Sequence, residues 1–272
     1  MPEGPEIHRA SDRIRTALEG KKIFNVKIDF QPLAGMEYLF EGEVIEKVEA
    51  RGKALLIHGP TRVLYAHSQL YGRWMVNSKS RTLPKSNRSL RILFESDTHV
   101  VRLFSATDIL LLEHHEIELH PYISKLGPDV VLPSTGVMEI QHHITQQRFQ
   151  RRRLGGLLLD QGFLSGIGNY LRSEILYKAN LLPQRTIASL KQEELLRFCE
   201  VTKEIVQRAY EHKGITLSQE RYTALRNQGL THGASRHYVF TRAGRTCYEC
   251  QTLIERHNVS SRRLDLCPSC QV

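Results

Sequence analysis

Hydrophobic residues near the N-terminus recur with the spacing of an α-helix. From Pro5 to Glu19 the apolar positions lie three or four residues apart, which places them on one helical face. These positions are Ile7, Ala10, Ile14, Ala17 and Leu18. Proline suits the first turn of a helix, and Gly20 is a typical stop signal. The pattern predicts one amphipathic helix.

The pattern then changes to the alternation of apolar and polar positions that is typical of strands. It recurs in IFNVKIDF, KALLIH, RVLYAH, SLRILFES and HVVRLFSA, which are separated by turn residues. Short strands at this spacing indicate an antiparallel sandwich or barrel over residues 20–112, and the stretch 77–89 is typical of an exposed loop. We therefore predict an N-terminal β-sandwich domain over residues 1–130 that begins with the helix.

Beyond residue 130 the patterns are helical. The stretch 130–144 indicates a loop followed by a helix, and the clearest helix follows Ser189, its expected cap, and ends at Gly214. Residues 215–235 show no sustained period and predict a loop with at most a short helical turn, whereas 237–242 and 252–256 resemble strands. The predicted fold is α+β and multidomain, with a helical domain over 131–235 and a C-terminal hairpin over 236–272.

The charge balance narrows the class of partner. The 272 residues carry 38 Lys and Arg against 29 Asp and Glu, a net charge of +9, and the pI is about 9.4. A basic surface favours a polyanion such as nucleic acid, because each neutralised phosphate releases counterions. A solvated basic surface is the alternative. The sequence shows neither a signal-peptide pattern nor an apolar stretch of membrane-spanning length, so we expect a soluble, cytoplasmic protein without a membrane partner.

Four of the five cysteines lie close to the C-terminus. Cys247, Cys250, Cys267 and Cys270 form two C-x-x-C pairs, with residues 251–266 between them. This spacing is typical of a zinc site, and a redox pair is the alternative. Four thiolates leave no open position at the metal, and so short a segment needs the metal in order to fold. Cys199 is typical of a small buried hydrophobe.

The segment between the cysteine pairs has side chains that suit phosphate contact. Ser260, Ser261, Arg262 and Arg263 fall at the tip of a predicted hairpin. Hydroxyl and guanidinium groups bind phosphate well. The alternative is a basic turn that is merely solvated.

A glycine-rich turn precedes a predicted helix in the middle of the chain. Gly166 and Gly168 lead into Asn169, and backbone N–H groups at the start of a helix bind phosphate readily. Arginines at 148 and 151–153 lie upstream. The alternative is a tight turn between two helices.

The N-terminal residues offer a nucleophile. Removal of Met1 would leave Pro2 with a free secondary amine. An α-amino group titrates near ~8 against ~10.4 for lysine, so roughly a tenth of it is neutral at pH 7. A neutral secondary amine can attack an electrophilic carbon and form a cationic iminium, and Glu3 beside it can donate and accept protons. A plain helix start is the alternative.

Together these segments resemble the formamidopyrimidine-DNA glycosylase and endonuclease VIII family. The resemblance rests on PEGPEI at the start, RGKALL at 51–56, HPYISKLGPD at 120–129, LLLDQGFLSGIGNYLRSEIL at 157–176 and the cysteine hairpin. PEGPE and QLY at 69–71 are similar to the endonuclease VIII branch. The resemblance implies an N-terminal helix with a β-sandwich, a helical domain with a helix-two-turn-helix element, and a zinc hairpin.

The resemblance also implies an activity. The expected protein is a monomeric, bifunctional DNA glycosylase and AP lyase of base excision repair, which excises oxidised pyrimidines from damaged double-stranded DNA and then performs β,δ-elimination. Pro2 would form the Schiff base at the sugar C1′, with Glu3 as the acid and Glu6 as a supporting carboxylate. Lys53 would act in β-elimination, and Arg262 would hold the phosphate and assist δ-elimination. One structural zinc ion and no catalytic cofactor are expected.

The DNA contacts implied by the family come from several segments. The implied residues are Gln69, Leu70, Tyr71, Lys125, Gly166, Gly168 and Asn169. The QLY residues would fill the gap left by a flipped nucleotide, since chemistry on C1′ needs the base out of the stack. Two positions depart from the family pattern. Lys125 stands where the endonuclease VIII branch usually has arginine, and Gln251 replaces a glycine after the second zinc cysteine.

Two other functions fit the same motifs. The sister activity on oxidised purines shares the amine chemistry and differs in the lesion pocket and the gap-filling residues. A zinc-dependent DNA-binding module without catalysis would use the basic segments and leave the terminus idle.

Overall fold

The structure of the protein is a computed structural model, and it describes residues 2–82 and 85–272. Backbone proximity groups these residues into two compact units. The first contains Pro2 and residues 6–124, and the second contains residues 3–5 and 125–272. The finer division into three domains remains a prediction.

The predicted N-terminal helix is confirmed as α1 (Gly4–Leu18), with Pro5 and Glu6 in its first turn. Its apolar face is fully buried at Ile14, Ala17 and Leu18. The strands of the first unit follow it. They are β1 (Asn25–Ile28), β2 (Lys47–Arg51), β3 (Ala54–His58), β4 (Val63–His67), β5 (Arg73–Ser78), β6 (Leu90–Glu95), β7 (His99–Phe104) and β8 (Asp108–Leu112).

These strands form two antiparallel four-stranded sheets. Their orders are β1-β6-β7-β5 and β2-β3-β4-β8. Side chains from both sheets enter one hydrophobic core, in which Phe40 and Phe94 meet edge to face with ring centroids 5.4 Å apart. The predicted antiparallel sandwich is therefore confirmed.

The sequence pattern does not predict β2, β5 and β8. In β5 every side chain is at least partly exposed, so the alternation of buried and exposed positions that marks a strand is absent. Pairing with β7 along its whole length defines this strand instead. The loop predicted over 77–89 overlaps the end of β5, and its Leu83 and Pro84 lie outside the described residues.

The second unit is helical and ends in a hairpin. Its helices are α2 (Val137–Ile144), α3 (Leu154–Leu157), α4 (Asn169–Lys178), α5 (Gln192–Glu211) and α6 (Gln219–Asn227). The antiparallel strands β9 (Glu255–Val259) and β10 (Arg262–Leu266) complete it. The predicted helices after residue 130 are confirmed, as is the C-terminal hairpin.

Helix α4 is the centre of this unit. The sequence pattern indicates one apolar face, whereas the structure buries every residue from Tyr170 to Tyr177. The buried set includes Arg172 and Glu174, each 0% exposed. A charged side chain is tolerated inside a core only when hydrogen bonds replace its water, and both residues meet this condition.

The N-terminal cap predicted for α5 is wrong. Ser189 lies in a preceding 3-10 turn, where its hydroxyl accepts the N–H of Thr186 at 3.1 Å. The helix begins at Gln192, and the carboxylate of Glu194 accepts the N–H of Lys191 at 2.8 Å. A glutamate inside the first turn therefore replaces the expected serine cap.

The loop predicted over 215–235 contains α6, so that prediction is also incomplete. Ser218 caps the helix by accepting the N–H of Arg221 at 3.3 Å. None of the residues of α6 is fully buried, and a helix without a buried face gives no helical period in its sequence.

The strand predicted over 237–242 is wrong. Successive backbone N–H groups of Tyr238, Val239 and Phe240 donate to the carboxylate of Glu174 at 2.8–2.9 Å. Because one side chain accepts all three, this segment has no need of a neighbouring strand. Of residues 252–256, the last two begin β9, while Leu253 forms an isolated bridge with Thr246.

Among residues 2–82 and 85–272, no helix combines the length and the apolar character needed to cross a membrane.

Candidate functional site

The carboxylate of Glu3 occupies the N-terminal end of α4. It accepts the backbone N–H of Gly168 at 2.8 Å, of Tyr170 at 2.9 Å and of Leu171 at 3.3 Å. Glu3 is only 3% exposed. The first N–H groups of a helix lack partners within the helix, and the helix dipole adds positive charge there. This end of α4 therefore holds the carboxylate in one orientation.

The glycines of the 166–168 turn permit this approach. A Cβ on Gly168 would lie 2.4 Å from Cδ of Glu3, and one on Gly4 would lie 2.8 Å from Cα of Gly166. The N–H of Gly4 also donates to the carbonyl of Gly166 at 2.7 Å. Gly166 has φ +91°, a conformation that favours glycine. The turn thus holds residues 3–5 against α4, and the N–H groups expected to bind phosphate at 168, 170 and 171 already serve Glu3.

Asn169 and Lys125 lie nearby in the second unit. Asn169 begins α4, and its side-chain Oδ1 is buried without a hydrogen-bond partner among the described residues. Lys125 ends a 3-10 helix and is exposed. Lys125 is therefore accessible to a ligand, whereas Oδ1 of Asn169 is a buried acceptor.

Arg172 connects α4 to the C-terminal hairpin, a role that the sequence pattern does not predict. Its guanidinium donates to the carbonyls of Gly155 at 2.8 Å and Arg263 at 2.9 Å, and to those of Val259 and Arg262 at 3.3 Å. Burial lowers the pKa of Arg172 from 12.5 to about 10, and the charge of Glu3 opposes this shift. Helix α4 thus binds the carboxylate of Glu3 at its first turn and, through Arg172, also holds the backbone of Arg262.

Glu174, two residues further along α4, fixes the segment before the first cysteine pair. Besides the three N–H groups of residues 238–240, its carboxylate accepts the hydroxyl of Thr216 at 2.5 Å. Burial raises the pKa of Glu174, and these hydrogen bonds oppose the shift. An arginine and a glutamate within the otherwise apolar run YLRSEILY are the signal that could have identified both residues.

Arg262 stands at the end of a strained hairpin turn. The turn residues Ser260 and Ser261 have φ of +54° and +59°, which gives the backbone twist favoured between antiparallel strands. Among the described residues, the side chain of Arg262 makes no hydrogen bond or ion pair, whereas Arg263 lies over the ring of Phe240 at 4.4 Å. Arg262 is exposed and available to an anion.

The four C-terminal cysteines converge. Their sulfur atoms all lie within 4.8 Å of one another, with 3.8 Å between Cys247 and Cys270 and 3.4 Å between Cys250 and Cys267. Sulfur atoms around a tetrahedral zinc ion lie about 3.8 Å apart, given Zn–S bonds of about 2.3 Å. The donor set therefore fits a metal ion. Gln251 has φ +64°, which explains why this position usually carries glycine.

In the first unit, Lys53 is buried rather than solvated. It is 6% exposed, and its backbone N–H donates to the hydroxyl of Tyr122 at 2.8 Å. The rings of Tyr122 and His67 meet edge to face at 5.2 Å. Burial lowers the pKa of His67; the nearby Asp108 opposes this and the charge of Lys53 adds to it. The alternative of a lysine on a solvated strand edge does not describe this environment.

The QLY turn projects outward from the same unit. Leu70 and Tyr71 are 61% and 68% exposed, so they are not the end of a buried strand. Gln69 has φ +49°; its N–H donates to Nδ1 of His67 and its side-chain amide to Asp108, both at 3.2 Å. The backbone of the turn is therefore held in place while its two large side chains remain exposed.

Pro2 and Glu6 also belong to the first unit. Pro2 is half-buried and precedes Glu3 directly. Glu6 accepts a hydrogen bond from Arg9 at 3.0 Å. Met1 lies outside the described residues, and its removal remains a prediction.

Comparisons with known proteins agree with this geometry. Two protein-family sequence models match the chain. The formamidopyrimidine-DNA glycosylase N-terminal domain matches residues 1–106, and the formamidopyrimidine-DNA glycosylase H2TH domain matches residues 126–221. The proteins named "Endonuclease 8" from Pectobacterium carotovorum (strain PC1) and Pectobacterium atrosepticum are 39% and 40% identical to the chain over 273 residues, with 100% of each chain covered.

Solved structures match the fold over its whole length. The Lactococcus lactis Fpg protein in complex with an abasic-site DNA gives a TM-score of 0.79 at 17% identity, with 99% of both chains covered. The same protein with an oxidised-pyrimidine DNA gives 0.78 at 18% identity and the same coverage. At these identities the matches show a shared fold. Since full-length relatives reach 40% identity and both domain models match in order, the chain belongs to the endonuclease VIII branch of the formamidopyrimidine-DNA glycosylase family.

Proposed function

We propose that this chain is a bifunctional DNA glycosylase and AP lyase of base excision repair that excises oxidised pyrimidines from duplex DNA. The observation that carries the proposal is the buried carboxylate of Glu3, held by three N–H groups directly after Pro2. Full-length similarity to Endonuclease 8 proteins supports it.

The amine of Pro2, freed by loss of Met1, attacks C1′ of the damaged nucleotide. The glycosidic bond breaks and its electron pair leaves with the base. Glu3 takes up the proton that the attacking amine loses and delivers it to the sugar ring oxygen as the ring opens, and the N–C1′ bond becomes a cationic iminium. The departing base is protonated by water. Loss of a proton from C2′ then expels the 3′ phosphate, and a second elimination expels the 5′ phosphate. Water finally releases the sugar fragment and regenerates the amine.

The remaining residues take supporting roles. Glu6 assists the proton transfers near the terminus, Lys53 acts in β-elimination, and Arg262 holds the phosphate for δ-elimination. The exposed pair Leu70 and Tyr71 fills the gap left by the flipped nucleotide.

Gln69, Lys125 and Asn169 complete the DNA contacts. The hydrogen bonds of Gln69 to Asp108 and His67 support its place in the gap-filling turn. For Gly166 and Gly168, the geometry favours an indirect role, since their turn anchors Glu3 rather than presenting free N–H groups.

The metal of the cysteine cluster is zinc in this proposal. Its four sulfur donors suit zinc, and complete coordination by the protein makes the ion structural. It would support the hairpin that carries Arg262. We further propose that the protein acts as a monomer on DNA in the bacterial cytosol, without a membrane partner.

Borohydride trapping tests the activity. The protein, with loss of Met1 checked by intact mass, is incubated with abasic-site duplex and sodium borohydride, which reduces the iminium to a stable covalent adduct. Wild type should give the adduct, and protein that retains Met1 should not. If wild type that has lost Met1 gives no adduct, the enzyme proposal fails. The remaining function would then be that of a non-catalytic, zinc-dependent DNA-binding module.

An oxidised-purine glycosylase is the second candidate. A solved structural relative, a variant of the Lactococcus lactis protein, is bound to DNA containing Fapy-dG. A panel of duplexes with thymine glycol, dihydrouracil or 8-oxoguanine opposite cytosine separates the two. We expect faster excision of the pyrimidine lesions; preference for 8-oxoguanine would assign the sister activity.

A further inference from the structure

A cleft lies between the loop before α3 and the turn of the C-terminal hairpin. Its volume is about 590 Å³, and its lining includes Arg152, Arg153, Asn258 and Ser260. Arg152, Arg153 and Asn258 have no role in the proposed reaction, and of the hairpin tip only Arg262 is assigned a phosphate there. The cleft is lined by two guanidinium groups, a carboxamide and a hydroxyl, all of which can donate hydrogen bonds to an anion.

The two arginines of the cleft differ in their partners. Arg152 donates to the carboxylate of Asp160 at 2.7 Å, so its charge is compensated. Arg153 is exposed, and within the described part of the chain its guanidinium makes no hydrogen bond or ion pair. The cleft therefore carries one positive charge without a counterion from the protein.

The hairpin turn brings a hydroxyl to the same cleft at a conformational cost. Ser260 and Ser261 both adopt positive φ, a conformation that is unfavourable for residues other than glycine and asparagine. Glycine or asparagine would adopt this turn more easily. Strain of this kind tends to persist where a side chain has a function, and here the residue retained at the first turn position supplies a hydroxyl.

Two glycines of α3 allow the helix to lie close to this hydroxyl and to its neighbours. A Cβ on Gly156 would lie 2.9 Å from Oγ of Ser260, and one on Gly155 would lie 2.8 Å from Cβ of Pro183. Larger residues at these positions would displace the turn or fill the cleft. The close approach of α3 to the turn is thus a property of this sequence.

We propose that this cleft, the Arg153 cleft, binds a phosphate of the DNA backbone in addition to the one assigned to Arg262. The guanidinium of Arg153 and the hydroxyl of Ser260 are its principal donors, because guanidinium and hydroxyl groups match phosphate oxygens. The inference rests on the proposed function, since it takes DNA as the ligand, and it extends the contact surface along the hairpin.

The salt dependence of DNA binding tests it. Dissociation constants for a duplex with an uncleavable abasic analogue are measured over a series of salt concentrations for wild type, Arg153→Ala, Arg153→Lys and Ser260→Gly. Arg208→Ala is the matched control, because this arginine belongs to the same unit and pairs with Glu204 on α5. Thermal melting confirms that each variant is folded.

Arg153→Ala should weaken binding several-fold at low salt and reduce the slope of log K against log salt by about 0.9, the value for one phosphate contact. Arg153→Lys should keep the slope and lose part of the affinity, since it lacks the bidentate fork. Ser260→Gly should weaken DNA binding, although glycine adopts the positive φ of this turn more easily. The control Arg208→Ala should bind DNA like wild type.

A slope for Arg153→Ala equal to that of wild type would overturn the inference. A second pair of results would also overturn it. Inorganic phosphate would raise the melting temperature of wild type but not of Arg153→Ala, while the two proteins bound DNA equally well. The cleft would then bind a free anion and not the DNA backbone. Failure of the proposed function is distinguishable, since wild type itself would then give no borohydride adduct.

Discussion

Glu3 shows how a residue remote in sequence can complete a helix. Helix α4 starts with no side-chain cap of its own, and the carboxylate of Glu3 takes three of its first N–H groups. A fixed orientation matters for a general acid, because a proton donor must lie within hydrogen-bond reach of its acceptor. The same contacts that stabilise the helix therefore position the group that we assign to proton transfer.

Gly168→Ala should damage activity far more than stability. The new Cβ would lie 2.4 Å from Cδ of Glu3, so the carboxylate must move. Overpacking of this kind costs about 1–3 kcal/mol, and misplacement by about 1 Å can reduce the rate on the order of 100-fold. Excision rates and urea unfolding measure the two effects. Gly136→Ala is the control, since nothing lies within 4 Å of its Cβ; equal rates for both variants would contradict the positioning of Glu3.

His237 should make stability depend on pH. It is 2% exposed and packs against Tyr170, and burial, together with the charge of Arg236, lowers its pKa from 6.5 to about 3. Between these values the unfolded chain binds the proton and the folded protein does not. The stability contributed by neutral His237 is thus present above pH 6.5 and is lost as pH falls towards 3, by up to ~1.4 kcal/mol per pH unit.

His237→Gln tests this dependence. Urea unfolding at a series of pH values should show a shallower loss of stability between pH 6.5 and 3 for the variant than for wild type. His115→Gln, at a side chain that is 72% exposed, should keep the wild-type slope. Parallel curves for wild type and His237→Gln would show that this histidine does not titrate differently on folding.

At the scale of elements, α4 organises the second unit through two buried charges. Arg172 holds the carbonyls of the β9–β10 hairpin and of Gly155, and Glu174 holds the N–H groups of residues 238–240. These side chains thereby satisfy backbone groups that are shielded from water in the core. A single helix therefore fixes both the hairpin turn and the segment that leads to the first cysteine pair.

Arg172→Met should destabilise the second unit by about 3 kcal/mol, because it leaves several buried carbonyls without donors. The expected consequence is a displaced Arg262 and weaker binding of abasic-site DNA. Urea unfolding and DNA titration measure both. Arg197→Met serves as control, since this exposed arginine bonds the end of α4 and Asn180 rather than the hairpin. Wild-type DNA affinity in Arg172→Met would show that the hairpin keeps its geometry without this residue.

At the scale of the whole molecule, the proposed zinc ion and the net charge both bear on DNA binding. The cysteine cluster and the hairpin carry little apolar volume, with a small core around Ile254 and Val239. Structural zinc supplies apparent binding energies of ~10–16 kcal/mol, enough to fold a segment of this kind. The net charge of +9 then favours association with a polyanion.

Removal of the metal should disorder the hairpin and abolish DNA binding. We expect one zinc ion per chain by elemental analysis, and Cys267→Ser should lose it along with affinity for abasic-site duplex. Cys199→Ala is the control, because this buried cysteine lies outside the cluster and should leave the zinc content unchanged. If metal-free protein bound DNA with full affinity, the metal would not be needed to hold Arg262 in place.

Much of this architecture is predictable from local sequence. Hydrophobic patterning identifies α1, five of the eight strands of the first unit (β1, β3, β4, β6 and β7) and α5, because side-chain burial favours apolar residues at recurring positions. Cysteine spacing identifies the metal cluster, since a tetrahedral ion demands that geometry. The reactivity of a free secondary amine nominates Pro2 for the same kind of reason, as it depends on the residue and its position alone.

The tertiary structure decided what depends on contacts between distant residues. The glycine turn at 166–168 looks like a phosphate site, yet its N–H groups bind Glu3, some 165 positions earlier. Residues 237–242 alternate like a strand, yet Glu174 takes their N–H groups. In each case a side chain far away in the sequence competes for the same backbone donors. Local propensity describes what a segment can bind, and only the folded chain selects the partner that it does bind.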